Sequence, residues 1–377
     1  MRLEGIELRL VRLRLREPFR ISSGTTHDRR ILLVRLTTDE AVGWAECVAG
    51  EAPNYSYETL ATARWALTEH LAPAVVGREF ADPAGVAATL DEAAKGHRMA
   101  KAAIEMAAWD AAARAAGRSL AEQLGGQKTR VPTGVSIGLQ PSMNELLQAI
   151  EAFVAEGYCR VKLKIAPGQD VEMVRTVREH FPELPLTVDA NAAYGAADLD
   201  HLAELDRLGL LLIEQPFPED DLLLHAELQH RIETPVCLDE SATGPARCRE
   251  ALALDACRMV NIKPGRVGGL TASKAIHDLC AEADVPVWIG GMLESGIGRA
   301  HNVALASLPN VRLLGDTSAS HRYWDRDVVD PPFTLNGDGT VTVPQGPGIG
   351  VEIDEDYLDE ITEERAAFSG QGSAGSA

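Results

Sequence analysis

Positive charge is scarce in this chain: 36 Lys and Arg stand against 56 Asp and Glu, so its 377 residues carry a formal net charge of −20. A field of that sign repels nucleic-acid backbones and anionic membranes, which excludes both as partners, but a locally cationic site can still take a small anionic substrate. Long apolar runs are missing too, and no window reaches the roughly 18 uninterrupted apolar residues of a membrane span. The N-terminus, MRLEGIELRLVRLRL, alternates apolar and charged residues, the pattern of a strand and not of a signal peptide, so the expected location is the cytoplasm. The six cysteines (Cys47, Cys159, Cys237, Cys248, Cys257 and Cys280) show no CxxC or other metal-ligand spacing. Most sit in apolar runs and read as reduced packing residues.

What is present suits a large globular enzyme: 45% apolar and 24% charged residues, with length enough for a barrel and a second lobe. Residues 1–130 read as an α+β lobe, with strands near 3–15, 30–38 and 41–47 and helices near 56–72 and 97–117. From residue 131 short β-like runs alternate with helical stretches: PTGVSIG at 132–138, RVKLKI at 160–165, PLTVDAN at 185–191, LLLIEQP at 210–216, PVCLDES at 235–241, MVNIKP at 259–264, PVWIGG at 286–291 and VRLLGD at 311–316. Eight runs repeating near every 25 residues predict an α/β fold, a closed TIM-type (β/α)8 barrel over 131–320. Residues 321–365 then return to the first lobe, and the Gly/Ser/Ala-rich stretch 366–377 reads as a disordered tail.

Polar residues recur at or near the C-terminal ends of these runs: Ser136, Lys162 and Lys164, Asp189 and Asn191, Glu214, Asp239 and Glu240, and Lys263. That is the catalytic face of such a barrel. Lys164, Asp189, Glu214, Asp239 and Lys263 follow one another in steps of 25, 25, 25 and 24. Buried charges need partners or an ion. Three carboxylates on adjacent strands form an all-oxygen site for a hard cation, suited to Mg²⁺, with Mn²⁺ or another divalent cation as a substitute. Lys164 and Lys263 flank the trio on the second and sixth strands and so oppose each other across the mouth. Such a site can remove the proton α to a carboxylate, because a fixed cation beside the carboxylate oxygens stabilises the enediolate, and neighbouring positive charge makes a lysine a usable base.

Plainer roles stand beside these. Lys263 could be half of a salt bridge, and Lys162 fits a structural or electrostatic role as well as a catalytic one. Ser136, Asn191 and Glu240 could orient the ligands or touch substrate. The glycine-dense loop GGMLESGIGRAHN, with Gly291, Met292 and Glu294, offers backbone amides and a helix N-terminus to an anionic group, though glycine also serves tight turns, whereas His301 reads as a helix-surface or packed residue and not a ligand. SSGTT at 22–26 and AGEAPNYS at 49–56 read as lids or surface loops.

The order and spacing of PFRISSGTT, GWAECVAGEAPNYS, HRMAKAAIEMAAWD, VKLKI, VDAN, IEQP, CLDES, VNIKPGRVGG, GGMLESGIGRAHN, GDTSAS and PQGPGIGV resemble the enolase superfamily, muconate-lactonizing subgroup, and most closely its o-succinylbenzoate synthase/N-acylamino acid racemase family. The resemblance implies a modified barrel under an α+β capping lobe completed by the C-terminal segment. It implies Mg²⁺ on Asp189, Glu214 and Asp239, acid/base roles for Lys164 and Lys263, and Lys162 as their electrostatic partner. It also implies a homo-oligomer, an octamer by likeness, although no feature of the sequence supplies that number.

By that resemblance the expected reaction is racemisation of N-acylamino acids, N-succinylamino acids included, with o-succinylbenzoate synthesis as a second activity or the main role. Two departures bear on substrate choice: Ser23 where the family pattern has Phe, and Gly50 where it has Met, in loops resembling the acyl-side wall. The charged stretch His27 to Arg30 lies nearby. Two other classes stay open, a catalytically silent barrel that binds a metal or carboxylate, and a Schiff-base aldolase on Lys263, which leaves the three acids unexplained.

Overall fold

Two long strands, β1 (Leu3–Ile21) and β2 (Gly24–Thr38), pair antiparallel and start the chain. The computed structural model describes residues 1–21 and 24–370. With β3 (Val42–Cys47) on one side and the last described strand, β15, on the other, they form a four-stranded capping sheet in the order β15-β1-β2-β3. Both strands run beyond the sequence expectation. Past an irregularity between Arg14 and Phe19 they continue as a hairpin arm, where Phe19 pairs with Thr26 and Arg20 with Thr25. Backbone bonds tie this arm to the barrel rim, from Leu139 N–H to the Arg20 carbonyl and from Arg16 N–H to the Tyr323 carbonyl.

Helices cover one face of the sheet: α1 (Leu60–Ala66), a π-helical turn (Leu67–Leu71), α2 (Ala72–Val75), α3 (Pro83–Ala93), α4 (Arg98–Ala115) and α5 (Leu120–Leu124). Alanine-rich α4 lies directly on β3, and the absence of side-chain bulk makes that possible. A Cβ on Gly43 would meet the Ala107 carbonyl and sit 2.6 Å from the Ala111 nitrogen.

A short strand, β4 (Arg130–Pro132), leads into seven parallel strands: β5 (Val135–Ile137), β6 (Val161–Lys164), β7 (Leu186–Asp189), β8 (Ile213–Glu214), β9 (Val236–Leu238), β10 (Met259–Ile262) and β11 (Val287–Ile289). They hydrogen-bond in simple sequence order. Between and after them come α6 (Met143–Glu156), α7 (Val171–His180), the irregular turn containing α8 (Leu199–Leu202), α9 (Leu222–Arg231), α10 (Pro245–Ala253), α11 (Pro264–Val267), α12 (Leu270–Glu282) and α13 (Gly296–Ala306). Every residue of β6 and β7 is buried. Val161, Leu163, Leu186 and Val188 join Leu146, Ile150, Val174 and Val177 of the outer helices in one apolar cluster. Each such side chain contributes about 1.5–3 kcal/mol. Strand alternation then turns Lys162, Lys164, Thr187 and Asp189 inward.

The eighth expected strand is a correction. Residues 311–316 form single bridges only, Val311 to Val287 and Gly315 to Thr133. They still close the ring, because Asp316 N–H reaches the Ile289 carbonyl at 2.9 Å and Gly134 N–H reaches the Gly315 carbonyl at 2.9 Å. The segment makes its backbone bonds at its two ends only, and its terminal Asp316 side chain serves the interior, so it bridges its neighbours without a regular ladder.

Beyond the ring, β12 (Val329–Asp330) pairs with β14 (Glu352–Ile353) and β13 (Thr340–Thr342) with β4, before α14 (Glu355–Ile361) and β15 (Thr362–Ser369) bring the chain back to the edge of the capping sheet. Residues 366–369, expected in a disordered tail, are therefore strand. Ala366 and Phe368 pack on the core, and Ala366 pairs with Leu8. Residues 371–377 of that expectation lie outside the described residues.

Buried carboxylates of the cap join it to the barrel. Glu105 of α4 accepts from Leu270 N–H at 2.7 Å and Thr271 N–H at 2.8 Å, at the start of α12. Glu46 of β3 accepts from Ser295 N–H at 3.1 Å and Gly298 N–H at 3.2 Å, at the start of α13. Each satisfies amides that a helix N-terminus leaves without a backbone partner. Burial pushes Glu105 up to about 7 and Glu46 up to about 8, the latter with help from Glu294.

Candidate active site

Three strand ends bring the ladder acids together. Asp189 closes β7, Glu214 closes β8 in register with it, and Asp239 follows β9 directly. All three are at most 1% exposed. Lys164 closes β6 and Lys263 follows β10. In a ring of seven strands plus the bridging segment, β6 and β10 stand four places apart in either direction, so their lysines enter from opposite walls.

Each acid is turned to a cation. Lys164 Nζ lies 2.6 Å from Asp189 Oδ2 and 2.6 Å from Asn191 Oδ1. Lys162 Nζ lies 2.9 Å from Glu214 Oε2, and Lys263 Nζ lies 2.7 Å from Asp239 Oδ2. In this arrangement no three His, Cys, Asp or Glu side chains among the described residues are grouped closely enough to form a metal cage. The donor set nevertheless fits a hard divalent cation: the oxygens are carboxylates on three successive strands, and neighbouring Glu240 has a buried Oε2 without a hydrogen-bond partner. Asp189, Glu214 and Asp239 would hold such an ion.

Electrostatics follow from the crowding. Burial works against the charge on Lys162 and Lys263, yet the acids win. Asp316, Glu214 and Asp189 hold Lys162 above the usual lysine range, and Tyr55, Glu214, Glu240 and Asp189 do the same for Lys263. Burial likewise opposes ionisation of Asp189, but Lys164 and Lys162 hold it down at about 2. Burial and the charge of Asp189 push Glu240 up to about 7.

The other expected site residues are placed unevenly. Ser136 lies on β5 in register with Lys162. Asn191 bridges Lys164 to Glu240, donating to Glu240 Oε1 at 3.0 Å, and so supports its neighbours. Gly291 and Met292 lie half-buried on the rim. Glu294 accepts from Met292 N–H of its own loop at 2.8 Å and from Asn302 Nδ2 of α13 at 2.9 Å. The helix N-terminus beside it is also occupied by the protein's own acids, Asp327 on Gly296 N–H and Glu46 on Gly298 N–H. His301 is packed, with Nε2 2.9 Å from the Trp44 carbonyl, and burial lowers it to about 4. Gly50 has room for a side chain, since a Cβ there meets only the Ala52 carbonyl at 3.7 Å. Ser23 lies outside the described residues.

Sequence reasoning missed several participants. Tyr55, from the capping loop, donates to Asp239 Oδ1 at 3.0 Å and accepts from Lys263 at 3.1 Å and Arg266 at 3.1 Å. Arg266 of α11 also pairs with Asp239. Asn261 donates to Glu214 Oε1 at 2.7 Å. Asp316 binds Lys162 and Arg160, and both cations stack on Trp288. Two carried a readable signal: Asn261 lies two residues before Lys263, and Asp316 ends the eighth run. Tyr55 lies in AGEAPNYS at 49–56, read as a lid or surface loop, but nothing local marked the residue itself, which arrives from the other lobe.

Comparison with known proteins agrees along the length of the chain. The family described as enolase C-terminal domain-like matches residues 145–357, and the mandelate racemase/muconate lactonizing enzyme N-terminal domain matches residues 5–125. The chain is 50% identical over 363 residues to an N-succinylamino acid racemase of Amycolatopsis sp, covering 96% of this chain and 98% of that one. It is 46% identical over 362 residues to an o-succinylbenzoate synthase of Geobacillus kaustophilus, covering 96% of each. The crystal structure of an enolase-superfamily member from Listeria innocua superposes with a TM-score of 0.94 at 40% identity, covering 98% of this chain and 99% of that one. A dipeptide epimerase from Cytophaga hutchinsonii, crystallised with Mg and the dipeptide D-Ala-L-Val, superposes with a TM-score of 0.88 at 25% identity, covering 97% and 100%.

Proposed function

This chain belongs to the o-succinylbenzoate synthase/N-acylamino acid racemase family of the enolase superfamily, and on that footing we propose that it racemises N-succinylamino acids by removing and returning the α-proton. The observation that carries the reading is the opposition of Lys164 and Lys263 across a ring whose intervening strands end in Asp189, Glu214 and Asp239. A two-base exchange needs one amine and one ammonium at a time, on opposite faces of the α-carbon. For one enantiomer Lys263 is the proton donor, and for the other it is the base. Lys164 takes the complementary role on the other face, with Asn191 and Asp189 fixing its amine. Lys162 adds a fixed positive charge beside the reacting carboxylate. A divalent cation, Mg²⁺ by the likeness to the epimerase, supplies the charge that offsets the growing negative charge of the enediolate. With substrate and Mg²⁺ the enzyme works as a homo-oligomer in the cytoplasm, where its free cysteines stay reduced.

The second reading, o-succinylbenzoate synthesis, is favoured by relatives of that name at 46% identity. It uses the same enediolate with one lysine as base and acid. The test is α-proton exchange in deuterated water for N-succinyl and N-acetyl amino acids, beside a dehydration assay on the synthase substrate. Lys164→Ala and Lys263→Ala should each abolish racemisation. Undiminished exchange in both variants would overturn the assignment, and dehydration far faster than racemisation in the wild type would make the second reading the main one.

A further inference from the structure

Lys162 is shared between two sets of acids. Its ammonium lies 2.9 Å from Glu214 Oε2 and 3.4 Å from Asp189 Oδ2, both ladder acids, and 2.7 Å from Asp316 Oδ2. Asp316 comes from the bridging segment that closes the ring and is not one of the ladder acids. Its other oxygen, Oδ1, accepts from Arg160 Nη2 at 2.8 Å, and the same nitrogen donates to the Leu314 carbonyl at 2.7 Å. The indole of Trp288 floors both cations, with Lys162 Nζ 4.8 Å and the Arg160 guanidinium 5.4 Å from the ring centre. Arg160, Lys162, Asp316 and Trp288 are all at most 7% exposed, so water cannot stand in for a lost partner.

A cation held by Asp189 and Glu214 would claim the oxygens on which Lys162 also draws. A buried ammonium left without an acceptor is costly, so an isolated Lys162 would resist that exchange. Building on the proposed metal site, we propose that Asp316 is a positioning residue that keeps Lys162 paired when Asp189 and Glu214 turn to the cation, and thereby sets the affinity for the divalent ion. Arg160 and Trp288 hold Asp316 and Lys162 in place for this role. Without Asp316, Lys162 has only the ladder acids left and competes directly with the metal.

The experiment measures Mn²⁺ binding alone, without substrate, by calorimetry on the full-length protein. The wild type should bind and Asp189→Asn should lose most of that affinity. Asp316→Asn should bind about tenfold more weakly or worse, the size of one charge-assisted hydrogen bond. A plain loss of negative charge would weaken binding too, so the same substitution is repeated in a Lys162→Met background. There the effect should shrink to under about threefold, because the competing ammonium is gone. An equal loss in both backgrounds, or none in either, overturns the role of Asp316 while leaving the metal site standing. Failure of the wild type to bind Mn²⁺, or equal binding by Asp189→Asn, removes the metal site and this inference together. Should Asp316→Asn not fold, Asp316→Ser, smaller and neutral, is measured in its place against the same outcomes.

Discussion

Glu105 provides a test of how the two lobes are joined. Its carboxyl is fully buried on α4, takes the first two amides of α12, and also accepts from Trp109 Nε1 at 2.8 Å. Below pH 5 the buried acid is itself protonated and carries one O–H, which can still accept; Glu105→Gln keeps the shape but replaces it with an NH₂ that only donates, so there the variant should be about 1–3 kcal/mol less stable. The pH dependence is more diagnostic. Burial raises Glu105 from 4.5 to about 7 in the folded protein. Between those values the folded state holds a proton that the unfolded state has released, so wild-type stability falls as pH rises through the window and levels off above about 7. The shift corresponds to about 3 kcal/mol. Glutamine does not titrate, and other groups cancel in the difference. The gap between the proteins should therefore close by about 3 kcal/mol between pH 4.5 and 7, leaving glutamine equal or better above that. Urea unfolding across this range, followed by fluorescence and circular dichroism, measures it. A gap that widens with pH would show that the donors outweigh burial and would refute the reasoning.

Other outcomes follow from single contacts. Gly43→Ala places a methyl against the Ala107 carbonyl and the Ala111 nitrogen and should lower stability by about 1–3 kcal/mol or more in the same unfolding assay. Tyr55→Phe removes the hydroxyl shared by Asp239, Lys263 and Arg266; it should lower kcat about tenfold with little change in melting temperature. Gly50→Met fills open space and should fold normally while changing KM among N-acetyl, N-succinyl and larger acyl groups, read from a substrate panel.

Repetition made much of the fold legible in advance. Strands of alternating polarity separated by helical stretches announce a parallel barrel, because each unit must cover one face of a strand with its own helix. Asp189, Glu214, Asp239, Lys164 and Lys263 were readable for the same reason: a barrel places successive strand ends on one rim, so a regular spacing in sequence becomes proximity in space. The final turn of the ring was less legible, since VRLLGD has the composition of a strand but closes the circle through single bridges.

Sequence by itself therefore determined the architecture, the acid trio and the opposed lysines, all of which rest on local periodicity. Tertiary structure alone decided which charges meet. It brought Tyr55 from the capping loop onto Lys263, spent the amides at the start of α13 on Glu46 and Asp327, and hung Lys162 between the ladder acids and Asp316. Those pairings join residues far apart in the chain, and burial makes them obligatory. A charge removed from water must find a partner wherever the fold brings one within reach.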